Sequence, residues 1–97
     1  MKVVLHAPTC GALLRARSNL RNLKAADPAA EVRIIANAGG VEAAIAEPDG
    51  GTDQHLYLCE NSLRARGLSA PIDIATVGAA VLELARLQDE GWCYIRA

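Results

Sequence analysis

A chain of 97 residues is read as one domain, residues 1–97, and a domain of this size buries roughly two-thirds of its unfolded surface, enough for a core without disulfides or metal. More than half of the residues are apolar, alanine is abundant and phenylalanine is absent, which predicts an aliphatic core with closely approaching elements. A formal charge of −1 argues against general affinity for nucleic acid or an anionic membrane, since both need a concentrated positive surplus.

Lys2 to His6 is a short apolar run ended by Ala7-Pro8-Thr9, which reads as a buried strand followed by a turn. It is too short for a signal peptide and no segment reaches membrane-spanning length, so a cytoplasmic location is expected. Leu13, Ala16, Leu20 and Leu23 then recur at helical spacing, with Arg15, Arg17, Arg21 and Lys24 away from that stripe on a face expected to be solvated. Asp27-Pro28 closes this helix, and Cys10 lies in the turn before it. Glu31 to Ala36 is a second strand. Asn37 to Gly40 is a turn into a helix over Val41 to Ala46, and its glycines match neither nucleotide-binding loop pattern. Glu47 to Asp53 has no periodicity and is expected to be an exposed, mobile loop.

The chemistry is expected in the next stretch. His55, Tyr57 and Cys59 alternate with Leu56 and Leu58, the period of a strand. Asn61 or Ser62 then serves as an N-cap for a short helix through Arg66, which Gly67 ends. Cys59 would sit at the carboxyl end of a strand facing a helix start, where free N–H groups favour thiolate over thiol, with Arg64 or Arg66 adding to the field. The plainer alternative is a cysteine that only fills space.

Ile72 to Thr76 reads as a fourth strand. Val77 to Asp89 forms the last helix, with Val77, Val81 and Leu84 on one side and Glu83, Arg86 and Glu90 on the other, and Gly91 stops it. Trp92 to Ile95 is the final strand, on which Cys93 is expected to be a core filler facing away from Trp92 and Tyr94. The alternation implies an α/β fold with a mostly parallel sheet, helices on both faces and right-handed crossovers. Ligands in such folds gather beyond the carboxyl ends of the strands. That rule selects His6, Asn37, Cys59 and Thr76, with Cys10 just past the first strand.

Three dispersed cysteines form neither a disulfide framework nor a structural zinc site, so reduced thiols are expected, and nothing calls for a cofactor. His55 and Cys59 cannot share a metal, because four residues of strand span about 13 Å. A Cys59–His6 nucleophilic pair fails if a strand lies between theirs.

The segment Cys59-Glu60-Asn61-Ser62-Leu63-Arg64 followed by Gly67 resembles the C-x-N-[ST]-[LM] segment of small DsrE/DsrF-like proteins. Leu84 to Arg96 is similar to their closing L-x-x-L-Q-x-x-G-[YW]-x-Y-I segment, and the strand ending in His6 and the turns at Ala25–Pro28 and Asn37–Val41 extend the likeness over nearly the whole chain. The resemblance implies a three-layer α/β/α domain with a five-stranded parallel sheet, assembled into trimers or hexamers. It also implies that Cys59 carries sulfur as a persulfide between donor and acceptor proteins. Asn61 and the N–H groups near Ser62 would be the stabilising donors, with Arg64 optional. The chain is closer to the short branch of the family than to its sulfur carriers, and Ala38 and Ala80 stand where members often hold glycine. Two alternatives remain beside the carrier. One is a non-catalytic oligomeric binding module whose pocket Cys59 lines; the other is an oxidant sensor with Cys10 as resolving partner.

Overall fold

The computed structural model describes residues 1–97. Strand β1 (Lys2–Ala7) leads into helix α1 (Cys10–Ala26), then β2 (Glu31–Ala36), α2 (Gly39–Ala46), a single 3-10 turn at Asp53–His55 and β3 (Leu56–Cys59). After these come α3 (Glu60–Ala65), β4 (Ala75–Val77), α4 (Ala80–Asp89) and β5 (Cys93–Arg96). All five strands are parallel, in the order β4-β3-β2-β1-β5, as an α/β reading of the sequence requires.

The layers follow from strand order. β1 to β4 advance in one direction across the sheet, so right-handed crossovers put α1, α2 and α3 on the same face. The step from β4 to β5 runs the other way, and α4 therefore covers the opposite face. Alternation along the strands supplies both cores. Val3, Leu5, Ala7, Val32, Ile34, Leu56 and Leu58 pack against Leu13, Ala16 and Leu20 of α1, Val41 of α2 and Leu63 of α3. On the other side Val4, Ile35, Cys59 and Trp92 pack against Ala80, Leu84 and Leu87 of α4.

Local chemistry fixes the helix starts. The Thr9 hydroxyl accepts from the Ala12 N–H at 3.0 Å and caps α1. α2 enters through Ala38, a non-glycine residue at φ 48°, and its Gly40 lies so close to β1 that a Cβ there would fall 2.0 Å from the Ala7 carbonyl oxygen. Only glycine permits that approach of helix to strand.

Several expectations are corrected. Arg17 is not on a solvated face: it is 4% exposed and its Nη2 donates to Asp53 at 3.0 Å. The loop from Glu47 to Asp53 is correspondingly held in place, by Arg17–Asp53, by Arg21–Asp49 at 2.5 Å, and by the burial of Thr52. Arg21, and then the Gly51 N–H, keep the Asp49 carboxyl below the usual carboxylate range against the opposing effect of burial. This loop enters β3 at the amino end of the sheet, opposite the strand end that carries Cys59. β4 begins at Ala75 rather than Ile72, because Pro71 to Ile74 closes a turn that leaves Ile72 in solvent and buries only Ile74. α4 begins at Ala80 rather than Val77, since Val77 is paired with Cys59 in the sheet, and its Val81 is 77% exposed. Cys93 is exposed because β5 is an edge strand and no helix covers its α1 side.

Two substitutions test these features. Ala38→Gly relieves a backbone conformation that costs a residue with a Cβ about 1–3 kcal/mol, and even after the larger entropy of the unfolded glycine chain it is expected to raise stability in urea by about 1 kcal/mol. Asp53→Asn leaves the buried Arg17 guanidinium without its counter-charge and is expected to lower stability by about 3 kcal/mol, whereas Glu31→Gln at an exposed strand end changes it little.

Candidate functional site

β3 ends at Cys59, whose backbone is extended and which itself occupies the N-cap of α3. The predicted caps, Asn61 and Ser62, lie inside that helix, while Gly67 terminates the segment at φ 63° as expected. Cys59 pairs with Val77 of β4, and after only Gly78 and Ala79 the chain enters α4. The connection leaving β3 goes to the α1–α2 face and the connection leaving the adjacent β4 goes to the other face. Cys59 therefore stands at the topological switch point of the sheet, where the two chains diverge and open a crevice.

Two helix starts meet the sulfur there. The N–H of Ala80, the first residue of α4, donates to Cys59 Sγ at 3.4 Å. Burial by itself would push the thiol up, but the Ser62 N–H, the Ala80 N–H, the Ser62 hydroxyl and the Asn61 N–H outweigh it and hold the Cys59 pKa below the ordinary thiol value. The sulfur is nonetheless enclosed. Cys59 is 4% exposed and packs with Ile35, Ala80 and Leu84, and it lines none of the three cavities of the molecule.

The other predicted residues divide into groups. Asn61 contributes its backbone, because its side-chain oxygen accepts from Arg64 on the exposed face of α3. Arg64 is thus committed to Asn61 and is not among the groups that stabilise the thiolate. The Ser62 hydroxyl also accepts from the Ala38 N–H at 2.8 Å, tying α3 to the turn after β2. Thr76 pairs with Leu58, so its side chain is on the face opposite Cys59 and donates to Glu60 at 2.7 Å. Cys10 is exposed on the first turn of α1, and all three cysteines are free.

His6 and Asn37 form a separate cluster. β2 lies between β1 and β3, which separates the ends carrying His6 and Cys59 by about 10 Å and removes the Cys–His pair. His6 instead bridges Tyr94, with Nδ1 at 2.6 Å from the phenol oxygen, and Asn37, with Nε2 at 2.9 Å from Oδ1. Sequence reasoning did not place Tyr94 or Ala80 among the site residues. Tyr94 had a weak signal, since it alternates with Cys93 and shares the Trp92 face; Ala80 was noted only as standing where DsrE/DsrF-like proteins often hold glycine, and it acts through its backbone.

No protein-family model matches the chain, and no curated protein matches it. A solved structure shares its fold. The protein of unknown function MTH1491 from Methanobacterium thermoautotrophicum is similar to 99% of this chain over 98% of its own length, at 28% identity and a TM-score of 0.84. The likeness thus extends over the whole αβ arrangement.

The thiolate-stabilising geometry predicts the pH dependence of alkylation. Cys59 should react with an inflection below the ordinary thiol value of about 8.5. Ala80→Pro deletes the N–H donor at the first helical position, where proline is accommodated and where the preceding Ala79 is already extended at φ −131°, ψ 124°. Losing one charge-assisted bond should move the inflection upward by roughly one pH unit, measured by iodoacetamide kinetics with Cys10 and Cys93 replaced by serine.

Proposed function

We propose that the protein is a sulfur carrier that holds sulfane sulfur as a persulfide on Cys59. The observation that carries this reading is the convergence of two helix amino ends on one cysteine at the switch point, with the Ala80 N–H on the sulfur. The resemblance of Cys59–Arg64 and of the closing segment to DsrE/DsrF-like proteins supports the same residue in the same role. In the loading step the Cys59 thiolate attacks the outer sulfur of a donor persulfide. A new S–S bond forms, the donor's S–S bond breaks, and the electron pair leaves on the donor thiolate. Delivery is the same exchange with an acceptor thiolate attacking the outer sulfur of Cys59. No oxidant or reductant is consumed, because sulfane sulfur is handed on at one oxidation level.

The burial of Cys59 fits storage and sets a condition on transfer. An enclosed persulfide is shielded from bulk thiols, and the donor reaches it through local opening of the Val77–Ala80 turn. Donor and acceptor proteins are its expected partners in the cytoplasm. Assembly into trimers or hexamers is supported by apolar side chains left in solvent away from any cavity, Leu82 on α4 and Ile95 on β5. The same burial favours a second reading, a binding module in which Cys59 does no sulfur chemistry.

Intact-protein mass spectrometry after incubation with a sulfurtransferase and a sulfane-sulfur donor separates the two. A carrier gains one sulfur atom, loses it to reductant, and gains none as Cys59→Ser. No gain in the wild type, or equal gain in the variant, removes Cys59 from the mechanism and leaves the binding module.

A further inference from the structure

On the α4 side of the sheet, a cleft of about 410 Å³ opens at the carboxyl ends of β1 and β2, with His6, Asn37 and Tyr94 on its floor and α4 as its wall. Its size falls within the range of small-molecule sites, roughly 300–1,000 Å³. The hydrogen bonds on the floor determine which atoms are left for a ligand. Asn37 Oδ1 can only accept, so His6 Nε2 donates to it at 2.9 Å, while Nδ1 shares a hydrogen bond with the Tyr94 hydroxyl at 2.6 Å. Both imidazole nitrogens are thereby used within the chain. Three polar groups in the cleft keep capacity for a ligand: the Asn37 amide nitrogen, a lone pair of the Tyr94 oxygen, and the Gln88 carbonyl oxygen, whose amide nitrogen donates back to Leu84 at 3.2 Å.

We infer that this cleft binds an uncharged small molecule presenting a carbonyl beside an N–H, as in a carboxamide or lactam, on a compact apolar body. The carbonyl takes the Asn37 amide hydrogen and the N–H is accepted by Tyr94 or Gln88. The apolar body lies on Val81, Leu84 and Ala85, which form one stripe of α4 at helical spacing. No aspartate, glutamate, lysine or arginine lines the cleft, so a charged ligand would be desolvated without a counter-charge from any of them. His6 acts as a positioning residue that fixes the orientation of both flanking groups. The site is independent of Cys59, which β2 separates from His6 and which does not line the cleft.

The test is an NMR titration of the ¹⁵N-labelled protein with 2-pyridone, a planar uncharged lactam, beside N-methyl-2-pyridone and benzoate. 2-Pyridone is expected to give saturable shifts centred on His6, Asn37, Val81, Ala85 and Tyr94 at millimolar concentration. N-methyl-2-pyridone, lacking the N–H, and the Tyr94→Phe and Asn37→Ala proteins are each expected to bind about tenfold more weakly, the usual effect of one hydrogen bond. Benzoate should not bind. Val81→Lys alters an exposed wall residue without touching the core and should also abolish the shifts, whereas Cys59→Ser should keep them. Absence of saturable shifts with 2-pyridone, equal binding of benzoate, or unchanged binding by Tyr94→Phe, Asn37→Ala and Val81→Lys would overturn the inference. None of these results bears on persulfide formation at Cys59.

Discussion

The connection from β4 to β5 has to pass back over β3, β2 and β1, four strand spacings or about 19 Å, and handedness allows it only on the face that α1, α2 and α3 leave free. Ten residues of α-helix cover about 15 Å of that distance, and short connections at each end supply the rest. This reversal is what makes β3 and β4 neighbours whose outgoing chains part. Cys59 acquires its surroundings from that divergence: α3 begins at the cysteine on one side and α4 begins above it on the other. An identical Leu-Tyr-Leu-Cys strand followed by a crossover to the same face as its neighbour would place one helix start at the sulfur, not two.

A single helix cannot cover a five-stranded face. α4 buries Ala80, Leu84 and Leu87 against Val4, Ile35 and Trp92, and each fully buried large aliphatic or aromatic side chain there contributes about 1.5–3 kcal/mol. Beyond its reach, charged side chains take over. The Arg33 guanidinium lies 4.7 Å from the Trp92 ring and 5.4 Å from the Tyr57 ring, with Lys2 5.8 Å from Trp92 and Glu83 of α4 at 3.9 Å from Arg33. These cations shield aromatic surface that no helix meets, at a gain of about 0.5–1 kcal/mol each where solvent is near. At the carboxyl ends of β1 and β2 α4 flanks this face without covering it, and it is there that the His6–Tyr94 cleft remains open.

Sequence reasoning located what depends on neighbours in the chain and missed what depends on neighbours in space. Strand alternation and the Asn-Ser after Cys59 were enough to put the cysteine at a strand end before a helix, and β2 was read with its observed bounds because Glu31 and Asn37 bracket an apolar run. Arg17 was read as solvated from its charge, although a position four residues after Leu13 and three before Leu20 belongs to the apolar stripe, and its partner Asp53 is 36 residues away. The Glu47–Asp53 loop looked featureless for the same reason. Cys93 was assigned to the core because alternation gives a face but not whether a helix covers it. The grouping of His6, Asn37, Cys59 and Thr76 assumed that strand ends form one site, whereas strand order puts β2 between two of them and pleat puts Thr76 on the far face. The contact of Ala80 with the sulfur was illegible, because a backbone N–H carries no residue signature.

The two sites on the α4 face are separate in chemistry but share a structural element. Ala80 holds the Cys59 sulfur through its N–H, and the next residue, Val81, forms the wall of the cleft. Both therefore depend on the first turn of α4, which lacks a side-chain cap and follows Gly78 and Ala79. An uncapped helix start leaves its first N–H groups to other acceptors, and here the Cys59 sulfur is one of them. Anything that draws this turn away from the sheet lowers the field on the sulfur, exposes it, and widens the cleft in one movement. Ionisation of Cys59 favours the closed turn because the Ala80 bond is stronger to a thiolate than to a thiol, and by linkage the closed turn favours ionisation to the same degree.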